Sequence, residues 1–541
     1  MNKKTAFLII IYIFIILLVI SNFTAAVYKP DQMRPVLMKI REAERGISRT
    51  EREIKKAELE FKLYDREKTE YYLEEARIFL DRAVKLYEKE NDSEVESAAE
   101  KAVEMADKSK LQTLESYPIQ FRSFWLDNGT IAAAGGREGI ADLLDLAEMA
   151  NFNAVLPEVF FKGKTIIPAN ELFVQDERFK SWSEDPLKIL IEEADKRNME
   201  VHAWVWVFNE NTHGEPGIIL QEHSEWAARD RNGNIVTYHN SSWLSPSRKD
   251  VRDFLIKRYA YLVENYDLDG INLDYIRFPE EYRASYGFDE NTAVLFEEKT
   301  GINPFNIKSG SSQSAEWNKF RESLITQMVK ETSIVLRSIR PGLIVSADVI
   351  PGREEAQYRA LQDWSLWLEE GYLDFVLPMT YTENLFSELS KWIQEDTREL
   401  DYPIYPGVSV FKLSPAQVIE QVDEINNLNR TGLSLFAAAH LKEEHYRLLG
   451  EGSFRKKAQH PGQNSNEAEK IIFAMIKERI KLILNERSSA KKANDLLDNL
   501  SGNLDTEKEF LNYLEKLNIS KGIEKLKSDY RYLQELRHNK K

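Results

Sequence analysis

The chain contains no cysteine. That excludes a disulfide framework, a thiolate nucleophile and a thiolate-ligated zinc site, and an exported chain of this kind fits a bacterial or archaeal envelope better than a small secreted scaffold. Positive charge is in deficit as well: 73 Lys and Arg stand against 89 Asp and Glu, a formal net charge of −16. Nucleic acid is therefore not an expected partner, because its phosphates require basic patches. The eight His include no HExxH arrangement, and His440 and His445, five positions apart, would not share one helix face. No metal and no cofactor is expected. The sequence names no protein partner.

What is present is a large, ordered chain. Its 541 residues exceed one ordinary domain, and 43% hydrophobic content with 11% aromatics excludes a disordered polymer. Ten Trp and 23 Tyr suit a protein that handles sugars or other flat ligands, and equally a large core. Two lysines open the chain, followed by an unbroken apolar run from Ala6 to Ile20 and the small residues Thr24, Ala25 and Ala26. This is the layout of an export signal; if it is retained, residues 5–27 are just long enough to anchor the protein in a membrane. The expected location is thus the cell envelope or the exterior.

Four regions follow from pattern. Residues 1–27 are the signal or anchor. Residues 33–116 are rich in Glu, Lys, Arg and Ala, with apolar residues such as Tyr72, Ala76, Phe79, Ala83 and Leu86 at helical spacing. Two or three antiparallel helices are expected there, broken near Asp65 and near Asn91, as a bundle or spacer. Residues 119–450 repeat one theme eight times: a short β-branched and aromatic run, a loop, then an amphipathic helix. The runs begin near Phe121, Phe152, Met199, Leu268, Leu343, Leu373, Pro403 and Leu433. Eight such alternations predict an α/β fold of the (β/α)8 TIM-barrel type, flanked by all-helical segments. Ser247 to Asp250 has the spacing of a capping box, and Arg340-Pro341-Gly342 reads as a helix stop. The longest insertions, about 209–244 and 278–316, follow the third and fourth runs and should cover the working face. Residues 466–541 return to charged helix, with an apolar stripe from Ile472 to Ile483.

Strand alternation locates the chemistry. In the run Tyr266 to Pro279, Gly270, Asn272 and Asp274 share one face while Ile271 and Leu273 share the other. Parallel strands are normally apolar on both faces, so two polar side chains together mark the mouth of a barrel, and a buried carboxylate without a partner is costly. The same alternation turns Glu158 of the second run and Asp348 of the fifth inward, and pairs Met379 with Tyr381 in the sixth. Glycoside cleavage needs two carboxyl groups flanking the bond, one to protonate the leaving oxygen and one to attack or to activate water. Asp274 is the first candidate; Glu158 or Asp348 is the candidate proton donor. The competing structural role for Glu158 and Asp348 is a hydrogen bond or salt bridge to a neighbour such as Arg277 or Arg122. His202, Trp204, Trp206 and Phe208 share a face of the third run, where His202 suits the core and the two Trp suit either core or sugar stacking.

Several motifs taken together resemble one family. These are DPLKILIEEADKRNMEVHAWVWVFN, WLSPSRKDVRDFL, YDLDGINLDYIRFP, SYGF and QDWSLWLEEGYLDFVLPMTYT, with the strand at Gly407. In order and spacing they are similar to the glycosyl-hydrolase-like family 10 proteins over most of residues 119–448. The family is distinct from the xylanases of glycoside hydrolase family 10, whose two catalytic Glu motifs are absent here. The resemblance implies a TIM barrel associated with the cell envelope, with some relatives similar to hydrolases of peptidoglycan glycan strands. It carries over Asp274, on the shared DGI-x-x-D motif; many relatives have Gln at Glu158 and a small residue at Asp348. The expected protein is an exported O-glycosyl hydrolase of a cell-envelope or extracellular polysaccharide, the alternative being a non-catalytic glycan-binding scaffold. Asp274, Glu158 and Asp348 are its expected catalytic residues. Trp204, Trp206, Asn272, Tyr275, Arg277, Trp243 and Tyr381 are its expected substrate contacts.

Overall fold

The structure, a computed structural model, describes residues 35–484 apart from 236–239, 281–285, 398–401, 429–430 and 463–464. Beyond 484 it describes 495, 509–510, 512–513, 516 and 520–538. The expected signal or anchor lies outside these residues, and no described helix is long and apolar enough to cross a membrane. The chain divides into two compact units, residues 59–64 and 114–541 forming the larger.

The smaller unit is built from three helices, α1 (Pro35–Leu59), α2 (Arg66–Glu88) and α3 (Asp92–Gln112). The breaks fall where the turn-forming residues stand: Asp65 caps α2 by accepting from Lys68 N at 3.1 Å. The packed seam is Ala-rich, with Ala76, Ala83, Ala99 and Ala106 fully buried, so the helices approach closely. Two side chains bond a neighbouring helix's backbone, Thr50 to Ala106 O at 2.9 Å and Ser109 to Thr69 O at 2.7 Å.

In the larger unit all eight predicted runs are strands: β1 (Phe121–Leu126), β2 (Ala154–Phe161), β3 (Glu200–Trp206), β4 (Gly270–Asp274), β5 (Ile344–Val349), β6 (Phe375–Pro378), β7 (Gly407–Ser409) and β8 (Gly432–Phe436). They pair in parallel in the order β6-β5-β4-β3-β2-β1-β8-β7. A bridge between Val376 and Ile404, with Tyr405 N donating to Val376 O at 2.9 Å, brings the β6 and β7 segments together and nearly closes the barrel. Amphipathic helices run between the strands, among them Pro186–Asp195, Lys249–Asn265 and Ser312–Ile339. One local expectation fails. The helix after Ser247 starts one residue later, capped at Arg248 without a side-chain bond, and Ser247 Oγ instead receives Asn291 Nδ2 at 2.8 Å.

A repeated device sets the strand register. Asn153, Asp269 and Asp374, each just before β2, β4 or β6, accept the backbone N–H of Arg122 (2.8 Å), Val201 (2.8 Å) and Val345 (2.7 Å) at the start of the preceding strand. A short polar side chain thereby satisfies an N–H that the staggered ladder leaves open. Gly270 follows the same logic of space: a Cβ there would lie 2.3 Å from the His202 ring, which fills the barrel floor. That floor is aromatic, with Phe121, Phe375, Tyr405, His202 and His460 in mutual contact.

The tail from 465 belongs to this unit. Helices Ser465–Leu484 and Ser520–His538 share a core with Tyr117 and Ile119 at the entrance to β1. Arg479, fully buried, bonds Asp529 at 2.5 Å and Glu115 at 2.9 Å, and Tyr532 Oη donates to Ile119 O at 2.5 Å.

Candidate active site

The C-terminal ends of β2, β4 and β5 bring Glu158, Asp274 and Asp348 into one mouth. Each acts on a neighbour's ionisation: the Asp274 charge raises both Glu158 and Asp348. All three are buried, and among the described residues none has a cation within ion-pair distance. Arg122, weighed above as a structural partner, points the other way. It lies beneath the barrel and donates to the carbonyls of Tyr117, Phe454 and Lys456.

The three acids differ in what holds them. Asp274 accepts two N–H bonds, from Tyr275 N at 2.6 Å on Oδ1 and from Trp204 Nε1 at 3.0 Å on Oδ2. Burial pushes its pKa up to about 6, and those two donors, with Arg277 beyond them, hold it from going further. Asp348 accepts on both oxygens too, from Asn272 Nδ2 at 3.1 Å and Trp125 Nε1 at 3.1 Å. Burial and the Asp274 charge raise it well above the usual carboxylate range. Glu158 is different. Only Oε2 is engaged, by the backbone N–H of Asn128 at 2.9 Å and by the Asn128 amide. Burial lifts Glu158 to about 7, against the pull of the Asn128 bonds. Oε1 has no partner among the described residues.

The expected substrate contacts sort into two groups. Trp204 and Asn272 are 4% and 0% exposed, with Trp204 Nε1 on Asp274 and Asn272 Nδ2 on Ser346 and Asp348. Both hold acids through these bonds. Tyr275, Arg277 and Trp243 line a cleft of about 240 Å³ beside Asp274, together with Asn209, Thr212 and Glu280. Trp243 reaches it from an antiparallel pair, 209–211 with 242–243, inside the first long insertion. Trp206 backs this wall, its ring 4.6 Å from that of Tyr275. Tyr275 itself has φ +52°, uncommon for a bulky residue, and this turn is what aims its N–H at Asp274 and its ring into the cleft. Tyr381 lies on the far side, packed 5.2 Å from Phe436, where burial first, and then the Asp348 and Asp274 charges, raise its hydroxyl.

Trp125 and Asn128, which donate to Asp348 and Glu158, are the acid partners that sequence reasoning passed over. Trp125 was accessible to it, since Phe121, Ser123 and Trp125 alternate inward as His202 and Trp204 do. Asn128 lies past the strand in a helical turn and gave no periodic signal. Among the described residues no group of three or more His, Asp or Glu side chains is placed to hold a metal ion.

The profile of the glycosyl hydrolase-like 10 family matches residues 120–423, more than half of the chain. The chain is similar to the glycosyl hydrolase DigH of Escherichia coli (strain K12), at 22% identity over 327 residues, 54% of this chain and 70% of DigH. It is also similar to the glycosyl hydrolase YngK of Bacillus subtilis (strain 168), at 22% identity over 323 residues, 54% of this chain and 59% of YngK. Solved structures that it resembles include the PgaB (BpsB) glycoside hydrolase domain from Bordetella bronchiseptica (12% identity, 62% of this chain, 99% of that one, TM-score 0.47). Another is α-L-fucosidase isoenzyme 2 from Paenibacillus thiaminolyticus (15% identity, 62% of this chain, TM-score 0.45); the alignment spans 49% of that chain, about half its length. The chain belongs to the glycosyl hydrolase-like 10 family.

Proposed function

We propose that this member of the glycosyl hydrolase-like 10 family cleaves O-glycosidic bonds of a cell-envelope or extracellular polysaccharide, peptidoglycan glycan strands among the candidates, with Glu158 as general acid and Asp274 as its ionised partner. The observation that carries the assignment is the unequal engagement of the acids. Two N–H donors favour the anion of Asp274, the form needed to stabilise or capture the oxocarbenium-like centre or to activate water. Glu158 keeps an oxygen free and is raised to about 7, so near neutrality it holds a proton that it can deliver to the leaving oxygen. Asp348, bonded on both oxygens, fixes Asn272 and Trp125 around the pair. Trp243 and Tyr275 would meet a sugar face, with Trp206 behind them, while Tyr381 closes the opposite wall. No cofactor enters this chemistry. An exported location, with residues 1–27 as signal or anchor, is supported by the lysines and apolar run at the N-terminus.

The test is hydrolysis by the full chain of peptidoglycan and a set of common polysaccharides, with Glu158→Gln beside the wild type. If Glu158 protonates the leaving group, the variant loses most activity on the natural glycan and far less on an aryl glycoside whose leaving group needs no proton. Equal losses on both would remove Glu158 from that role. Binding without turnover by the wild type on every glycan would replace the hydrolase with a scaffold.

A further inference from the structure

Two cations stand at the mouth with no carboxylate at ion-pair distance among the described residues. Arg277 follows β4, its guanidinium 5.2 Å from the Trp243 ring and 5.4 Å from the Tyr275 ring. Among the described residues Arg277 donates to Phe278 O at 3.3 Å, and its buried Nε finds no partner. Glu280, on the wall of the same cleft, is taken by Arg359. Lys162 follows β2 with φ +48°, close enough to Glu158 to feel its charge. Its ammonium lies 5.7 Å over the Trp206 ring and 3.3 Å from His213 Nδ1. It lines a second cleft, of about 400 Å³, where Asp176 is matched by Arg178 at 2.8 Å and Lys164 at 3.8 Å. The chain as a whole carries a net charge of −16, so cations placed at this mouth stand against its prevailing sign.

Each cation also feels the acid it flanks, Arg277 acting on Asp274 and Glu158 on Lys162. A purely balancing role would have the guanidinium and ammonium turned onto those carboxylates. Neither is; both lie against aromatic rings that line the clefts, where a planar guanidinium can fork a carboxylate while the ring carries the sugar.

We propose that the substrate is an acidic polysaccharide, bearing carboxylates of the uronate type. One carboxylate is held by Arg277 against the wall of Trp243 and Tyr275, and a second meets Lys162 further along that wall, beside Trp206. This rests on the mouth being the glycan site proposed above. The test measures binding of hyaluronan and alginate oligosaccharides, each beside its carboxyl-reduced counterpart, to the full chain carrying Asp274→Asn so that nothing is consumed. At least one acidic oligosaccharide should bind about tenfold or more tighter than its reduced form, and added salt should weaken it. Arg277→Gln should abolish that preference, Lys162→Gln should diminish it, and Arg277→Lys should keep part of it. Neutral cello- or chitooligosaccharides binding as well as the acidic ones would overturn the proposal, as would failure of every acidic oligosaccharide to bind. So would an Arg277→Gln change that leaves the acidic preference intact in the Asp274→Asn protein and, with Asp274 present, shifts only the pH profile of hydrolysis, since the cation would then serve Asp274 alone. Arg277-dependent binding of acidic glycans that the wild type never cleaves would leave this inference standing and remove the hydrolase assignment.

Discussion

At the floor of the barrel Glu200 sits between two imidazoles, His202 Nε2 at 2.9 Å and His460 Nδ1 at 3.0 Å, and the Arg122 guanidinium is wrapped by three backbone carbonyls and Gln120. At the mouth, on the other ends of strands from the same sheet, Glu158, Asp274 and Asp348 are as deeply buried and meet no cation at ion-pair distance. Burial raises all four carboxyls, but at Glu200 the charges and bonds of His460 and His202 outweigh it and bring the pKa well below the usual range. At Glu158 and Asp274 the neutral donors do not, and the values stay at about 7 and about 6. The signs of the stability contributions are therefore opposite. Glu200 binds its proton more weakly folded than unfolded, so it stabilises the fold above its unfolded pKa, and that is lost as pH falls through the folded value. Glu158 binds its proton more strongly folded than unfolded, so stability declines as pH rises from about 4.5 to about 7. Charge at the floor supports the fold; charge at the mouth is tolerated for what it can do.

The sharpest break in that comparison is Asp274→Asn. It keeps shape and removes the anion, so turnover should fall by roughly a thousandfold or more, about 4 kcal/mol of barrier at ~1.36 kcal/mol per tenfold, with the melting temperature held or raised. Turnover within a few-fold of wild type would end the assignment. The mirror experiment is Glu200→Gln at the floor. It leaves two buried imidazoles without their anion and should cost about 3 kcal/mol in denaturant unfolding, with activity per folded molecule retained. A variant that unfolds normally and fails to turn over would mean that the two ends are not separate in function.

Glu158→Gln should sharpen the contrast through pH. Above about pH 7 the wild type carries a buried anion that Gln does not, so the variant should gain stability there, about 1–3 kcal/mol at pH 8, and nothing near pH 4. Under the proposed roles, wild-type activity requires Asp274 ionised and Glu158 protonated. The rate should rise through about pH 6, fall through about pH 7, and lose its falling limb in the variant's residual activity on an aryl glycoside.

The barrel was legible because strand patterning survives burial: eight apolar runs at β/α spacing needed no side-chain partner to be recognised, and Glu158, Asp274 and Asp348 followed from counting by twos. The resemblance rested on the same residues, since DGI-x-x-D contains a register-setting Asp269, a Gly270 that makes room for His202, and Asp274. What the pattern could not convey was allegiance among inward-facing groups. Nothing in the sequence tells that Trp204 donates to Asp274 while Trp243, some forty residues on and outside any barrel strand, lines the cleft beside it. Nor does it tell that Arg122, the second residue of β1, serves the floor, or that Asn128 occupies one oxygen of Glu158 and leaves the other without a partner among the described residues. Such facts depend on contacts between residues distant in sequence, and alternation fixes only which face a side chain takes.

The smallest predicted effect tests whether Asp274 is tuned by those contacts or only by its depth. Trp204→Phe removes one N–H donor from Oδ2, leaves the Tyr275 N–H on Oδ1, and keeps a ring in the packing against Phe436. A bond to an ionised carboxylate contributes about 1.5 kcal/mol, roughly one pKa unit. The rising limb of the pH–rate profile should therefore move from about 6 toward 7, close upon the Glu158 limb, and lower the maximal rate several-fold with little change in stability. Glycan binding at pH 8, where Asp274 is ionised in either form, should be unaltered, because the indole faces the acid and not the cleft. If Trp204 were a sugar platform, as its sequence position first suggests, the substitution would instead weaken binding at every pH and leave the limb where it was.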